Sequence, residues 1–337
     1  MAEARAAAVP GWRVGVPARW QGTTAWLIAN RIGSGALTLF IVSVVIFIIT
    51  GWLPGDAAQE ALGQSATPET VAALRAQYGL DKPPYMRYID WMLGLASGNL
   101  GQSFAAQIPV SDLIASRLPK SLILAAVTAA VSVPIALTIG ILSAMWRGTA
   151  FDRVLNIATL SMVAVPEFLV ATIAVLVFAV KLQWLSALSN AVDVSTPIQF
   201  VRTYAMPVAT LCFVVIAQMA RMTRAAVIDQ LSASYVEMAV LKGARPARVA
   251  LRHALPNAIG PIANAVALSL SYLLGGVVIV ESIFNYPGIA SLMVDSVANR
   301  DMPVVQACAM IFCSAYLLLV LVADVVAILA NPRLRHR

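Results

Sequence analysis

Groups suited to covalent or metal chemistry are scarce in this chain. Only three cysteines and two histidines occur among 337 residues. Cys212, Cys308 and Cys313 lie in apolar runs with no CxxC pair, which argues against a disulfide framework. His253 and His336 stand apart, so no His/Cys cluster offers a metal site. Charge is scarce as well: 12% of residues are Asp, Glu, Lys or Arg, where a soluble domain carries about a quarter. No G-x-x-x-x-G-K-[ST] phosphate loop is present. No Ser/His/Asp set or carboxylate pair suggests catalysis in the membrane. An enzyme is not expected, nor a cofactor held by this chain.

What the chain does have is apolar length. Hydrophobic residues make up 60% of it. Six stretches approach the roughly 20 apolar residues that a helix needs to cross a bilayer: Ile32–Leu53, Ser121–Trp146, Val154–Val180, Thr203–Ala220, Ala258–Val280 and Met302–Ala330. The first is too long for the h-region of a cleaved signal peptide, and a polar arm precedes it. The fold expected is an all-α bundle of six transmembrane helices. The formal charge of +7 fits basic loops on one side of the membrane. Nucleic-acid binding is not indicated, since no basic domain with aromatic or motif context accompanies the charge.

Arg5, Arg13, Arg19 and Arg31 precede the first span, Arg147 and Arg153 follow the second, and Arg333, Arg335 and Arg337 close the chain. Arg221, Arg224, Lys242, Arg245, Arg248 and Arg252 fall between the fourth and fifth spans. The segment Glu281–Asp301 is acidic by contrast. The positive-inside rule therefore places both termini and the fourth–fifth connection in the cytoplasm. The expected organisation is a cytoplasmic arm (1–31), a six-helix transmembrane domain (32–330) and a cytoplasmic tail (331–337). Within the domain, 54–120 is an external loop and 221–257 a cytoplasmic loop.

The external loop is patterned. Thr67 can cap a helix opening on Pro68 and Glu69. Val71, Leu74 and Tyr78 share one face of it, and Gly79 ends it before Pro83–Pro84. A second helix, Tyr85–Leu95, aligns Tyr88, Trp91, Met92 and Leu95. Such a cap can meet a partner or pack over the bundle end.

The cytoplasmic stretch YVEMAVLKGARPARVALRHALPN is a broken helix. Gly243 interrupts it and Pro246 opens a second helix running towards Leu255 and Pro256. Arg245, Arg248 and Arg252 fall on one face of that second helix. A lipid anchor would prefer a continuous amphipathic helix, so the segment reads as a folded knob. Its spacing resembles the EAA loop of ABC-importer permeases: Glu237 and Ala239, Gly243 four residues on, then Leu255–Pro256. Met238 replaces the second position, and His253 stands where Ile is usual. Lys242–Gly243 and His253–Ala254–Leu255 with Asn257 fit the peptide-permease branch. From about Leu27 onward, PGD at 54–56, GNLGQSF, RLPKSLILA and VESIFNYPGIASLMVDSVANRDMPVVQA resemble the dipeptide/oligopeptide/nickel permease family. The tail NPRLR resembles its DPR signature, with Asn331 in place of Asp. The arm before Leu27 lies outside the resemblance.

The resemblance implies a type I ABC importer, with Glu237, Ala239, Lys242, Gly243, His253, Leu255 and Pro256 coupling to an ATPase. It also implies a second homologous permease subunit, two ATP-binding subunits carrying ATP and magnesium, an extracytoplasmic solute-binding protein and a peptide-like solute. Membrane lipid surrounds the spans. Two acids fall inside spans. Glu167, after Pro166, is a substrate-path candidate that could meet a cationic solute group, because span carboxylates commonly face the bundle interior. Asp324 is expected to pair locally, with Arg333. Pro134, Pro261 and Gly275–Gly276 read as kinks or close-packing points. The rival functional readings are a stand-alone secondary transporter or channel, and a scaffold or sensor. The first usually shows inverted repeats, and none is evident here.

Overall fold

A computed structural model describes residues 24–52, 55, 57–62, 64, 66–189, 196–245 and 248–330. Residues 1–23 of the N-terminal arm, with Trp12 and Trp20, lie outside the described residues, as do Pro54, Asp56, Pro246 and the tail from Asn331 with Arg333, while 24–31, expected in the arm, open α1. Twelve α-helices follow one another among the described residues. They are α1 (Thr24–Gly51), α2 (Ala57–Leu62), α3 (Pro68–Gln77), α4 (Pro84–Ala96), α5 (Val110–Met145), α6 (Ala150–Ala164) and α7 (Glu167–Ala174). Then come α8 (Pro197–Leu231), α9 (Ser234–Leu241), α10 (Leu255–Ile283), α11 (Ile289–Ala298) and α12 (Met302–Ala330). π-helical turns at Val175–Lys181 and Val249–Ala254 extend α7 and precede α10. An all-α polytopic bundle is what the apolar runs predicted.

Helices α1, α5, α8, α10 and α12 are each long and apolar enough to cross a membrane. The third predicted span, Val154–Val180, is not straight. It is the pair α6 and α7, which meet at 93° across Val165–Pro166. Pro166 is the N-cap of α7, and the missing proline N–H makes this a natural place for the chain to turn. Four other spans start before their apolar windows, whereas α12 matches its window, Met302–Ala330. α8 continues to Leu231, which puts Arg221 and Arg224 on a helix rather than in a loop. Apolarity marks only the part of a helix that meets lipid.

The centre of the bundle is the α5–α8 pair. Leu124, Thr128, Ser132, Ala136, Gly140 and Ala144 recur every fourth residue along α5 and are all buried. Small side chains at that spacing let backbones approach closely. α8 answers with Tyr204, Leu211, Val215 and Met219, and Cys212 Sγ lies 3.8 Å from the Thr128 carbonyl oxygen. α10 packs on α8 and α12, and α1 packs chiefly on α12. Ile32, Leu37, Phe40, Ile41 and Ile49 of α1 are exposed, as a lipid-facing helix requires.

The cap forms largely as its sequence predicts. Thr67 Oγ1 accepts from the Thr70 amide at 3.3 Å, and α3 closes at Gly79. Val71, Leu74 and Tyr78 are half-buried while Ala72, Ala73, Arg75, Ala76 and Gln77 are exposed. Tyr78 donates to the Phe104 carbonyl at 2.9 Å and accepts from Gln107. Burial pushes the Tyr78 hydroxyl above its ordinary range, against the opposing effect of Gln107. The aromatic stripe of α4 lies on α1: Tyr88 meets Ser43 at 2.9 Å, and the Tyr88 and Trp91 rings flank Phe47.

Candidate functional site

The knob stands at the end of α8 opposite the cap. α9 closes at Gly243, whose φ is +78°. There the Gly243 amide donates to Val240 at 2.9 Å and the Ala244 amide to Ala239 at 3.1 Å. This pair of bonds is the Schellman closure, and only glycine adopts its left-handed residue cheaply. Val236, Val249 and Ala254 form a small core of their own, with Leu231, Ala233 and Ala244 against it. Leu255 joins the knob to the span ends by packing with Ala144, Val227 and Ala258.

The second helix of the knob differs from its expected form. It does not stop at Pro256. The chain runs from Val249 to Ile283 as one helical stretch, entered through the π-helical turn. The Leu255 amide donates to Ala250, five residues back, and Pro256 then occupies the first turn of α10, where its missing N–H costs nothing. Of the motif residues, Glu237, Lys242, Gly243 and Pro256 are exposed, and Ala239, His253 and Leu255 half-buried. Arg245, Arg248 and Arg252 are exposed too. Beside these charges Met238, Val240 and Leu251 also lie open, and Leu241 keeps 74% of its surface.

Glu167 is the first residue of α7 and is 9% exposed. No hydrogen bond or ion pair reaches it among the described residues. Its carboxylate lies on α10 at Gly276. A Cβ added there would sit 2.6 and 2.8 Å from the two carboxylate oxygens. Gly276 is thus a close-packing point, and what it packs against is an acid. Asp324 Oδ2 lies 3.3 Å from Arg31 Nε, joining α12 to α1, while Arg333, its expected partner, lies outside the described residues.

Three polar networks escaped the sequence reading. Asp152 is buried and accepts from Arg224 Nε at 2.8 Å and a terminal guanidinium nitrogen at 2.9 Å. Ser143, Asn156 and the Gly148 amide complete its shell. Glu281, read as part of an external loop, is fully buried at the end of α10. It accepts from Ser121 at 2.5 Å and from the Ala290 and Ser291 amides of α11 at 2.9 and 3.0 Å. Asp301 is buried and accepts from Ser103, from the Phe104 amide at 2.9 Å and from the Ala105 amide at 3.3 Å. A helix following the fifth span was the available signal: Gly288 precedes an apolar run that α11 forms. Among the described residues no group of three or more His, Cys, Asp and Glu side chains could hold a metal ion.

Comparison with known proteins agrees with this architecture. Residues 136–336 match the family described as the binding-protein-dependent transport system inner membrane component. Residues 25–125 match the N-terminal region of the same kind of membrane component. The glutathione transport system permease protein GsiC of Escherichia coli is 36% identical over 300 residues, covering 89% of this chain and 95% of that protein. Its counterpart in Shigella dysenteriae serotype 1 matches to the same extent, 36% over 300 residues with 89% and 95% covered. The chain therefore belongs to the inner-membrane permease components of binding-protein-dependent ABC importers.

Proposed function

We propose that this permease admits peptide-type solutes and that its knob is the socket through which an ATPase drives it. One observation carries the coupling role. Met238, Val240, Leu241 and Leu251 are exposed on a small, basic, independently cored knob. Apolar side chains exposed together mark a protein or membrane contact, and the break at Gly243 disfavours the continuous amphipathic helix that lies on lipid. In this reading Glu237 and Lys242 border the contact, and Gly243 sets the angle of α9. Ala239 and His253 hold the knob's two helices, and Leu255 with Pro256 transmits its movement into α10. The basic knob end faces the cytoplasm, as do both termini, and the cap meets the outside. The arm 1–31, permease domain 32–330 and tail 331–337 are the corresponding units.

ATP and magnesium belong to two partner ATPases, a second permease completes the path, and a binding protein delivers solute. The relatives named for glutathione transport support a solute with peptide character. The test is co-purification of the ATPase with wild type and with Leu241→Asp. The variant should assemble with the second permease yet lose the ATPase and ATP-driven uptake. Retention of both would refute the socket.

A further inference from the structure

Asp152, Glu167, Glu281 and Asp301 are the carboxylates buried among the described residues. Three are saturated with donors: Asp152 by Arg224, Ser143, Asn156 and Gly148, Glu281 by Ser121, Ala290 and Ser291, and Asp301 by Ser103, Phe104 and Ala105. Glu167 has none. An unpaired ionised carboxylate out of water costs several kcal/mol, and a glutamine or alanine would avoid that cost. The niche is nonetheless built for it. Gly276 leaves bare backbone where any Cβ would meet the carboxylate. Pro166 and the 93° break set Glu167 at the start of a half-span.

The missing counter-charge does not come from the surrounding helices. α10 and the chain after it hold no Lys or Arg between Arg252 and Arg300, and the α6–α7 pair holds only Arg153 and Lys181, near its two ends. On α8, which also packs on α7, Arg202 and Arg221 are exposed and Arg224 is paired with Asp152. Nor is the group placed to meet a neighbouring subunit. Its side chain turns inward onto α10, while Phe168 and Leu169 form the exposed face of α7. A small cation entering between α7 and α10 fits both facts. Parting those helices at the break would open only the α7 side of the core, where Ala171 meets the cluster that includes Leu273 and Val277.

We propose that Glu167 and Gly276 form a subsite for the ammonium group of the solute, so that the permease itself selects amine-bearing peptides. This rests on the reading that the chain lines a path for peptide-type solutes. Glu167 binds the ammonium by a charge-assisted hydrogen bond, and Gly276 positions the carboxylate.

The experiment uses the complete transporter with its binding protein in proteoliposomes. The probes are dialanine and glutathione, each free and N-acetylated. Wild type should carry the free forms about tenfold or more faster, the effect of one charge-assisted hydrogen bond. Glu167→Gln should slow the free forms to the rate of the acetylated ones, and Gly276→Ala should do so in part. Glu167→Asp should retain the preference. Equal uptake of free and acetylated probes by wild type overturns the subsite while leaving the importer reading intact. So does a Glu167→Gln transporter that keeps the preference. Absence of ATP-driven uptake of every probe by wild type overturns both.

Discussion

Replacing Arg224 by Met should destabilise this protein through the charge it leaves behind. Arg224 reaches Asp152 with two parallel hydrogen bonds, 2.8 and 2.9 Å long. Asp152 keeps only 5% of its side-chain surface and Arg224 keeps 25%. Removing one partner of a buried pair costs about 3–5 kcal/mol, because the other charge stays buried alone. The partial exposure of Arg224 argues for the lower end, about 3 kcal/mol. Ser143, Asn156 and the Gly148 amide would still donate to Asp152, so the loss stops short of unfolding the helix start. Asp152→Asn alone leaves a guanidinium that can swing towards water, and should cost about 2 kcal/mol. The double variant should cost at least about 1 kcal/mol less than the sum, since no uncompensated charge remains. Thermal unfolding in detergent, followed by near-ultraviolet circular dichroism, measures all three. Additivity within about 0.5 kcal/mol would show that the pair is not coupled and would refute the reasoning.

The same accounting gives three further expectations. Gly243→Ala places a Cβ in the left-handed region at φ +78° and should cost about 1 kcal/mol, seen as faster amide exchange in α9 with the spans unchanged. Asp301→Ala orphans the Phe104 and Ala105 amides and the Ser103 hydroxyl, so the 103–107 loop should become sensitive to added protease while the knob end does not. Glu281→Ala strands Ser121 and the first amides of α11, and should lower the midpoint of unfolding more than Asp324→Ala, whose half-exposed pair with Arg31 contributes about 1 kcal/mol at most.

The elements that local chemistry decides were legible in the sequence. Five spans followed from apolar length, α3 and α4 from caps and stripes, and the break at Gly243 from the one residue that turns there without strain. The bend at Pro166 was half legible. A proline announces a break, but whether the halves stay collinear depends on α8 and α10, which pack against α7. The continuation through Pro256 was hidden because a π-helical turn absorbs the missing donor. The polar pins were hidden for a different reason. Asp301 and its donors at 103–105 are nearly 200 residues apart, and Glu281 and Ser121 are separated by 160. No periodicity records such pairings. Both acids counted only as loop charge, and each proved to be a buried acceptor.

That contrast bears on how the molecule divides into fixed and movable parts. Asp301 fastens the cap loop to the start of α12, Glu281 fastens α11 to α5, and Asp152 fastens the start of α6 to the end of α8. A carboxylate with three or more donors is expensive to release, because every donor would be orphaned at once. These three therefore mark contacts that stay closed. Arg224 lies about two turns before the end of α8, and α9 follows that end directly, so the Asp152 pair ties α6 to the base of the knob. Glu167 is held by no donor, at the junction where α6 and α7 already diverge. Between α7 and α10 no polar contact of Glu167 has to be broken among the described residues, and the apolar packing of Ala171 in the cluster of Leu273 and Val277 is what would oppose an opening there. The buried acid without partners then gains something by the opening, whereas the other three could only lose.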